Sequence, residues 1–220
     1  MPRKKLKRFA EIETFPNVIR VFGDVAPGWY HNYFGNDNPI TLEIACGKGE
    51  YTVGLARRYP DRNFIGIDKK GERIWRGAKI ALEEGLKNSL FVRADAGLLA
   101  ELFTERTISE IWIPFPDPFP QNSKADKRLT SPGFLAIYGR VLKPGGVIHL
   151  KTDDTDLFGF TINALRAAQG IIYRITFDLY DDSIADDVLM LKTTYERRHL
   201  AAGKTIKYIR FGLNELRSIS

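Results

Sequence analysis

The chain contains 220 residues, of which 44% are hydrophobic and 27% are charged, and its formal net charge is +6. No stretch approaches the roughly 18 apolar residues that a membrane span requires. Cys46 is the only cysteine and there are three histidines, so an internal disulfide is excluded and a Cys/His zinc site is not expected. We therefore expect a globular protein with no membrane association, no metal and a cytoplasmic location. The positive charge favours a polyanionic partner.

The N-terminus is strongly basic. Its first eight residues include Arg3, Lys4, Lys5, Lys7 and Arg8. Such a segment is either a solvated tail or a flexible arm that lies along phosphates, and the sequence leaves both interpretations open. We predict a basic N-terminal arm and leading segment over residues 1–35, followed by one catalytic domain over residues 36–220.

Along the rest of the chain, apolar β-branched runs alternate with helical patterns. Strands are predicted at 40–45, 63–68, 89–94, 110–113 and 147–152, and helices at 50–59, 71–84, 132–142 and 154–169. Two further strands, at 171–180 and 205–213, have no clear helix between them. This order predicts an α/β fold: a mostly parallel seven-stranded sheet with a reversed last strand and helices on both faces. Ligands of such sheets bind at the carboxyl ends of the strands.

The stretch IWIPFPDPFP, at 111–120, breaks the fourth of these strands abruptly. Its four prolines lack the amide donor, fix their own φ and restrict the residues before them, so the chain forms a stiff loop. The loop presents one carboxylate, Asp117, beside the rings of Phe115 and Phe119. That combination suits a flat, polar, aromatic ligand such as a nucleobase.

The first strand runs into LEIACGKGE, where Gly47 and Gly49 permit a tight turn and a close approach of a ligand to the backbone. The dinucleotide signature needs a third glycine, but Thr52 stands at that position. Glu43 adds a carboxylate within the apolar strand, which is a poor neighbour for a pyrophosphate and a good one for a cation. S-adenosylmethionine, which carries a sulfonium and an amino group, fits this end better than a dinucleotide.

Two more acids follow the next two strands. Asp68 ends the second strand, where a carboxylate can accept hydrogen bonds from both hydroxyls of a ribose. Asp95 and Ala96 follow the third strand, where the acid can accept from an adenine amino group. An acid in such a place can also be a helix N-cap, but three acids at successive strand ends beside a glycine turn favour a cofactor pocket.

These residues resemble those of the tRNA (guanine-N7-)-methyltransferases. The resemblance covers about residues 41–211 and rests on the motifs LEIACGKGE, FIGID, RADA, FPDPF, KRLTSPGF, LKPGG, HLKTDD and TTYERR in this order. It implies a Rossmann-like class I methyltransferase that uses S-adenosylmethionine to modify a guanine in the variable loop of its partner, tRNA. It also implies that Glu43, Asp68 and Asp95 contact the cofactor, that Asp117 lies between cofactor and guanine, and that Asp153 and residues Thr193, Thr194, Tyr195 and Glu196 bind substrate.

The chain departs from the family pattern beside the motif aspartate. Gln121 stands where the family usually has a substrate-binding lysine, and Phe119 replaces its usual tryptophan. We expect Lys124, Lys127 or Arg128 to make the lysine's contact.

N7 of guanine has a free lone pair and no proton to lose, so attack on a methylsulfonium needs no general base. We therefore expect Asp117 to orient the guanine and to stabilise its developing positive charge. Phe119 and Tyr195 are candidates for stacking on a splayed-out base. Cations that could follow RNA phosphates are Lys124, Lys127, Arg128, Arg197, Arg198, Lys204 and Lys207.

Other functions remain open on sequence alone. The same cofactor pocket could serve a methyltransferase that acts on another RNA, a protein or a small molecule. A nicotinamide-dependent oxidoreductase is disfavoured by the absent third glycine, and a non-catalytic RNA-binding or scaffolding module by the nearly complete set of strand-end acids. A monomer and a homodimer are both compatible with the sequence.

Overall fold

The computed structural model describes residues 2–21, 26, 28–183 and 186–214, with side chains from Leu6 onward. The chain divides into two compact units, Met1–Thr104 and Glu105–Ser220. The described residues form eight strands, four in each unit, which is one more than the seven that the sequence predicts. Within these same ranges, no helix has the length and apolar character that crossing a bilayer would require.

The first unit is a parallel sheet with helical connections. Its strands are β1 (Val18–Arg20), β2 (Ile40–Ile44), β3 (Asn63–Asp68) and β4 (Ser89–Arg93), in the spatial order β1-β4-β3-β2. Its helices are α1 (Pro2–Ile12), α2 (Trp29–Phe34), α3 (Glu50–Arg58), α4 (Gly71–Glu83) and α5 (Leu99–Leu102), with a 3₁₀ turn at Ala96–Leu98. β2 and β3 are buried along their whole length, as expected for parallel strands that helices cover.

The basic N-terminal segment is helical over Pro2–Ile12, not an extended arm. Its C-terminal end packs on α4: Glu11 accepts hydrogen bonds from Trp75 Nε1 at 2.9 Å and from Lys79 Nζ at 3.1 Å. The same leading segment supplies β1, which is the strand that the sequence does not predict. The predicted domain boundary between residues 35 and 36 stays a prediction.

The second unit contains β5 (Ile108–Pro114), β6 (Leu142–Thr152), β7 (Ile171–Thr176) and β8 (Lys207–Gly212), in the order β5-β6-β8-β7. Its helices are α6 (Pro132–Val141), α7 (Thr155–Ala167) and α8 (Thr194–Ala201), with a 3₁₀ helix at Asn122–Lys127. β5 and β6 are parallel, whereas β8 is antiparallel to both β6 and β7. The predicted reversal of the last strand is therefore confirmed.

Three elements of the second unit differ from the prediction. Helix α8 lies between the last two strands, where no helix is expected from the sequence. β6 begins at Leu142 and not at the predicted residue 147, because residues 143–146 lie within the strand as an irregularity in its pairing with β5. β7 ends at Thr176, and the predicted continuation to residue 180 is bend and turn.

Candidate active site

The three acids of the first unit end neighbouring parallel strands. Glu43 pairs in register with Gly66 of β3, and Asp68 pairs with Arg93 of β4. Asp95 follows β4 by two residues. Because parallel strands present their carboxyl ends at one edge of a sheet, all three acids lie at the edge where ligands bind in such folds.

A glycine loop over residues 45–49 joins β2 to α3 at this edge. Its backbone is left-handed at Ala45, Gly47 and Gly49, with φ of 55°, 54° and 65°. A Cβ at Gly49 would overlap the ring of Phe91, and one at Gly77 of α4 would lie 2.5 Å from the carbonyl oxygen of Lys48. Glycine is therefore needed both within the loop and on the helix beneath it.

Glu43 is 3% exposed and is held by the first turn of α3. Its Oε2 accepts hydrogen bonds from the backbone N of Thr52 at 2.7 Å and from Thr52 Oγ1 at 2.6 Å. Burial raises the pKa of Glu43 to about 7, although the hydrogen bonds from Thr52 act in the opposite direction. In a dinucleotide site, the pyrophosphate occupies such a helix N-terminus. Here a protein carboxylate takes that place, which argues against a nicotinamide cofactor.

Asp68 ties the glycine loop to the end of β3. Its Oδ2 accepts from the backbone N of Gly47 at 3.0 Å, and its Oδ1 accepts from the backbone N of Lys70 at 2.8 Å. The residue is only 7% exposed. Each carboxylate oxygen can accept more than one hydrogen bond, so Asp68 retains the capacity to bind vicinal hydroxyls.

Asp95 is the most accessible of the three acids, with its side chain 44% exposed and ion-paired to Lys69. It also caps the 3₁₀ turn, because its Oδ1 accepts from the backbone N of Gly97 at 2.8 Å. Partial burial acts to raise the pKa of Asp95, but the hydrogen bonds from Lys69 and Gly97 outweigh it and leave the pKa below its ordinary value. The cap and a ligand contact are compatible, since the carboxylate has further lone pairs. Ala96 is mostly buried beside it.

The proline loop follows β5 in the second unit and is strained. Phe115 and Phe119 have φ of 54° and 42°, although each precedes a proline. A non-glycine residue in this region costs about 1–3 kcal/mol and persists only where its surroundings hold it. The backbone N of Phe115 donates to Lys151 O at 2.8 Å. Arg128 donates to Pro118 O at 3.1 Å and to Phe119 O at 3.0 Å.

These bonds attach Arg128 to the loop itself. The side chain is buried, donates to the loop carbonyls and lies 4.4 Å from the ring centroid of Phe160, so it supports the loop, and its contact with the substrate stays a prediction. Gln121, Lys124 and Lys127 are exposed in and beside the 3₁₀ helix that follows the loop. Asp117 is exposed at the apex, and none of the described residues hydrogen-bonds its carboxylate.

Asp153 follows β6 and is the centre of a polar cluster. Its Oδ2 lies 2.5 Å from Lys204 Nζ and 3.1 Å from His199 Nδ1, and its backbone O accepts from Lys207 Nζ at 3.1 Å. Lys207 is 7% exposed, and its contact with a phosphate stays a prediction. His199, which the sequence analysis does not single out, stacks on Phe115 with a centroid distance of 5.8 Å.

Residues Thr193 and Glu196 form the capping box of α8. Thr193 Oγ1 accepts from the backbone N of Glu196 at 3.1 Å, and Glu196 Oε2 accepts from the backbone N of Thr193 at 3.3 Å. The Glu196 side chain is fully buried, forms an ion pair with Lys151 and accepts from Tyr180 at 2.7 Å. Both carboxylate oxygens of Glu196 accept from protein donors, and the predicted contact with guanine stays a prediction. Tyr195 is 46% exposed on the same turn, and Thr194 is half-buried.

Comparison with known proteins decides the family. A family model described as "Putative methyltransferase" matches residues 37–209. A tRNA (guanine-N(7)-)-methyltransferase of Bacteroides thetaiotaomicron is 44% identical over 97% of this chain and 87% of its own length. One from Porphyromonas gingivalis is 47% identical over 93% of this chain and 87% of its own length. The chain belongs to the tRNA (guanine-N(7)-)-methyltransferase family.

Solved structures agree at the level of the fold. The structure of the 16S rRNA methyltransferase KamB superposes with a TM-score of 0.66, at 16% identity, over 89% of this chain and 96% of that one. The predicted fold class, a Rossmann-like methyltransferase fold with a reversed last strand, is confirmed apart from the number of strands.

Two residues of this tRNA (guanine-N(7)-)-methyltransferase site, Tyr180 and His199, are not identified from the sequence. The strain at Phe115 and the buried ion pair of Lys151 are not predicted either. A lysine in a strand that is otherwise apolar, with Thr-x-x-Glu later in the chain, is the available signal for a buried ion pair and an extra helix. The stacking of His199 on Phe115 has no local signal. Within the described ranges, no three His, Cys, Asp or Glu side chains form a cluster that could hold a metal.

Proposed function

We propose that this protein transfers a methyl group from S-adenosylmethionine to N7 of a guanine in the variable loop of tRNA. The observation that carries the proposal is the 44–47% identity, over nearly the whole chain, to proteins named tRNA (guanine-N(7)-)-methyltransferase. The proline loop supports it, because the exposed Asp117 and the neighbouring aromatic rings suit a nucleobase.

The residues of the first unit fit S-adenosylmethionine. Glu43 offers a buried carboxylate to the cationic part of the cofactor, Asp68 can accept from the ribose hydroxyls, and Asp95 from the adenine amino group. Gly47 and Gly49 keep the loop backbone open to close approach, and Ala96 lies beside Asp95 at the adenine end. When bound, the cofactor supplies an electrophilic methyl group on a positively charged sulfur.

Asp117 acts by positioning and charge. Its carboxylate can accept hydrogen bonds from the N1–H and the exocyclic amino group of guanine, which orients N7 for in-line attack. The new bond forms between N7 and the methyl carbon as the carbon–sulfur bond breaks, so the guanine becomes cationic and no proton is removed. A nearby carboxylate stabilises this developing charge, and no general base is required.

Aromatic and basic side chains of the second unit support RNA binding. The exposed Tyr195 and the half-buried Phe119 are the candidates for stacking on the extruded guanine. Lys124 and Lys127 are exposed and can replace the contact of the family lysine that Gln121 lacks. The exposed Arg197 and Arg198 of α8 can add phosphate contacts. In the first unit, the basic helix α1 is a further candidate for the RNA backbone.

Apart from tRNA, the partners of this protein and its cellular location stay predictions. Asp153 contacts His199 of α8, and Thr193 and Thr194 directly precede Tyr195 at the start of that helix, so we keep all three as supports of the substrate site. We keep a cytoplasmic location, no metal, and either a monomer or a homodimer as predictions.

Identification of the product tests the function. The protein is incubated with bulk tRNA and labelled S-adenosylmethionine, and the tRNA is digested and analysed by mass spectrometry. We expect the label in 7-methylguanosine, and none when the variable-loop guanine of a defined tRNA is replaced by adenosine. Label in another nucleoside, or equal labelling of the replaced tRNA, contradicts the proposal.

A further inference from the structure

The strongest unassigned feature of the second unit is a buried ion pair. Lys151 of β6 and Glu196 of α8 are in contact, and the side chains of both are 0% exposed. Lys151 Nζ also donates to Leu189 O at 2.9 Å. Tyr180 donates its hydroxyl hydrogen to Glu196 Oε1 at 2.7 Å. Both charges are thus surrounded by protein partners and are closed to a ligand.

Such a pair is a poor source of stability. Removing two charges from water costs about as much as their attraction returns, and apolar replacements of similar volume are often neutral or stabilising. Burial lowers the pKa of Lys151, although the charge of Glu196 acts to raise it. The pair favours a fixed geometry, because moving α8 away from β6 would leave two charges buried and unpaired.

The pair joins the elements that carry the candidate substrate residues. The backbone O of Lys151 accepts from Phe115, the first residue of the strained proline loop. Glu196 lies in the first turn of α8, next to the exposed Tyr195. One turn later, His199 stacks on Phe115 and contacts Asp153. Helix α8 is therefore attached to β6 and to the proline loop at two points.

We propose that Lys151 and Glu196 are a positioning pair for tRNA methylation, which fixes α8 so that Tyr195 and the proline loop hold the guanine in one orientation. This inference rests on the proposed function, and it replaces a direct contact of Glu196 with the base. It assigns Tyr180 to the same task, since its hydroxyl orients the Glu196 carboxylate.

The test removes both charges together. In the double variant Lys151→Met/Glu196→Gln, the glutamine keeps one acceptor oxygen, which can serve either Tyr180 or the cap of α8, and no unpaired charge is left buried. We expect a cooperative thermal transition and unchanged S-adenosylmethionine affinity, with single-turnover methylation at saturating tRNA slowed about 10- to 100-fold, the range for a small misplacement of reacting groups. The matched control is Arg57→Met/Glu84→Gln, which neutralises an exposed ion pair of the first unit and should leave the rate unchanged.

A milder variant tests the inference if the double variant does not fold. Tyr180→Phe removes only the hydroxyl that orients Glu196 and should lower the same rate constant by a smaller factor without changing cofactor affinity. A folded double variant that methylates at the wild-type rate overturns the inference, as does an unchanged rate for Tyr180→Phe if the double variant does not fold. Failure of the proposed function is distinguishable, because the wild-type protein would then form no 7-methylguanosine.

Discussion

Thr52 donates two hydrogen bonds to the buried carboxylate of Glu43, one from its backbone N at 2.7 Å and one from its hydroxyl at 2.6 Å. Thr52 stands where the dinucleotide signature has its third glycine. In the dinucleotide fold, the glycine leaves the helix N-terminus open to a pyrophosphate. Here the Thr52 side chain and the Glu43 carboxylate occupy the N-terminus of α3. Glu43 and Thr52 together therefore suit a cationic ligand better than an anionic one.

The stability of the protein should depend on the protonation of Glu43. Its pKa is raised from 4.5 to about 7 in the folded protein, so folding favours the protonated form. The resulting stabilisation is fully present below the unfolded pKa and is lost as pH rises through about 7. A shift of this size corresponds to about 3 kcal/mol. Glu43→Gln cannot titrate, so the free energy of unfolding of the wild type relative to this variant should fall by up to that amount between pH 4.5 and 8.

Urea unfolding of both proteins at several pH values measures this difference. Thr155→Val, at the exposed start of α7, is the control for a polar replacement that should not change the pH dependence. A constant difference between the wild type and Glu43→Gln across this pH range would show that Glu43 titrates normally.

The affinity for S-adenosylmethionine should also depend on the ionisation of Glu43, but it should rise with pH where stability falls. A cationic ligand favours ionised Glu43, so binding of S-adenosylmethionine should tighten as pH rises through about 7. Glu43→Gln should bind more weakly, and its affinity should not change with pH in that range. Isothermal titration calorimetry at pH 6 and pH 8 makes the comparison, with S-adenosylhomocysteine, which lacks the sulfonium charge, as the matched ligand. Equal pH dependence for both proteins would remove Glu43 from cofactor binding.

The exposed lysines that follow the proline loop should make electrostatic contacts with RNA, whereas an exposed lysine elsewhere in the second unit should not. Lys124→Gln and Lys127→Gln each remove an exposed cation, and each should lower the slope of log K against log salt concentration by about 0.7–0.9 for every phosphate that is no longer neutralised. Lys143→Gln, an exposed cation in the irregular part of β6, is the control and should leave the slope unchanged. Fluorescence anisotropy with labelled tRNA at several salt concentrations gives the slopes. If the three variants behave alike, the loop cations have no specific role.

Much of the fold and half of the site are predictable because they depend on local sequence. Glycine turns and strand-ending acids place Glu43, Asp68 and Asp95 correctly at the strand ends, since a parallel sheet brings successive strand ends to one edge. Strand β1 is not predicted because three residues are too few for a periodic signal. Helix α8 is not predicted because its composition is polar, although its capping box is present in the sequence.

The remaining differences concern charged residues whose partners are distant in sequence. The sequence suggests a phosphate contact for Arg128, but a loop with four prolines has few amide donors of its own, and its carbonyls are satisfied by this guanidinium. The sequence suggests a guanine contact for Glu196, but its partner Lys151 is 45 residues earlier. A sequence motif identifies candidate residues, whereas the partners that each side chain finds in the fold are set by residues that are distant along the chain.

The most direct test of the account is the single-turnover rate of tRNA methylation by Asp117→Ala, at saturating S-adenosylmethionine and tRNA. Loss of the positioning carboxylate should slow methyl transfer about 100- to 1,000-fold, the usual effect of removing one preorganised electrostatic group, while the affinity for S-adenosylmethionine stays unchanged. Because no proton is abstracted, the residual rate should not be restored at high pH. A variant that methylates guanine at the wild-type rate would contradict the central claim that Asp117 positions the base.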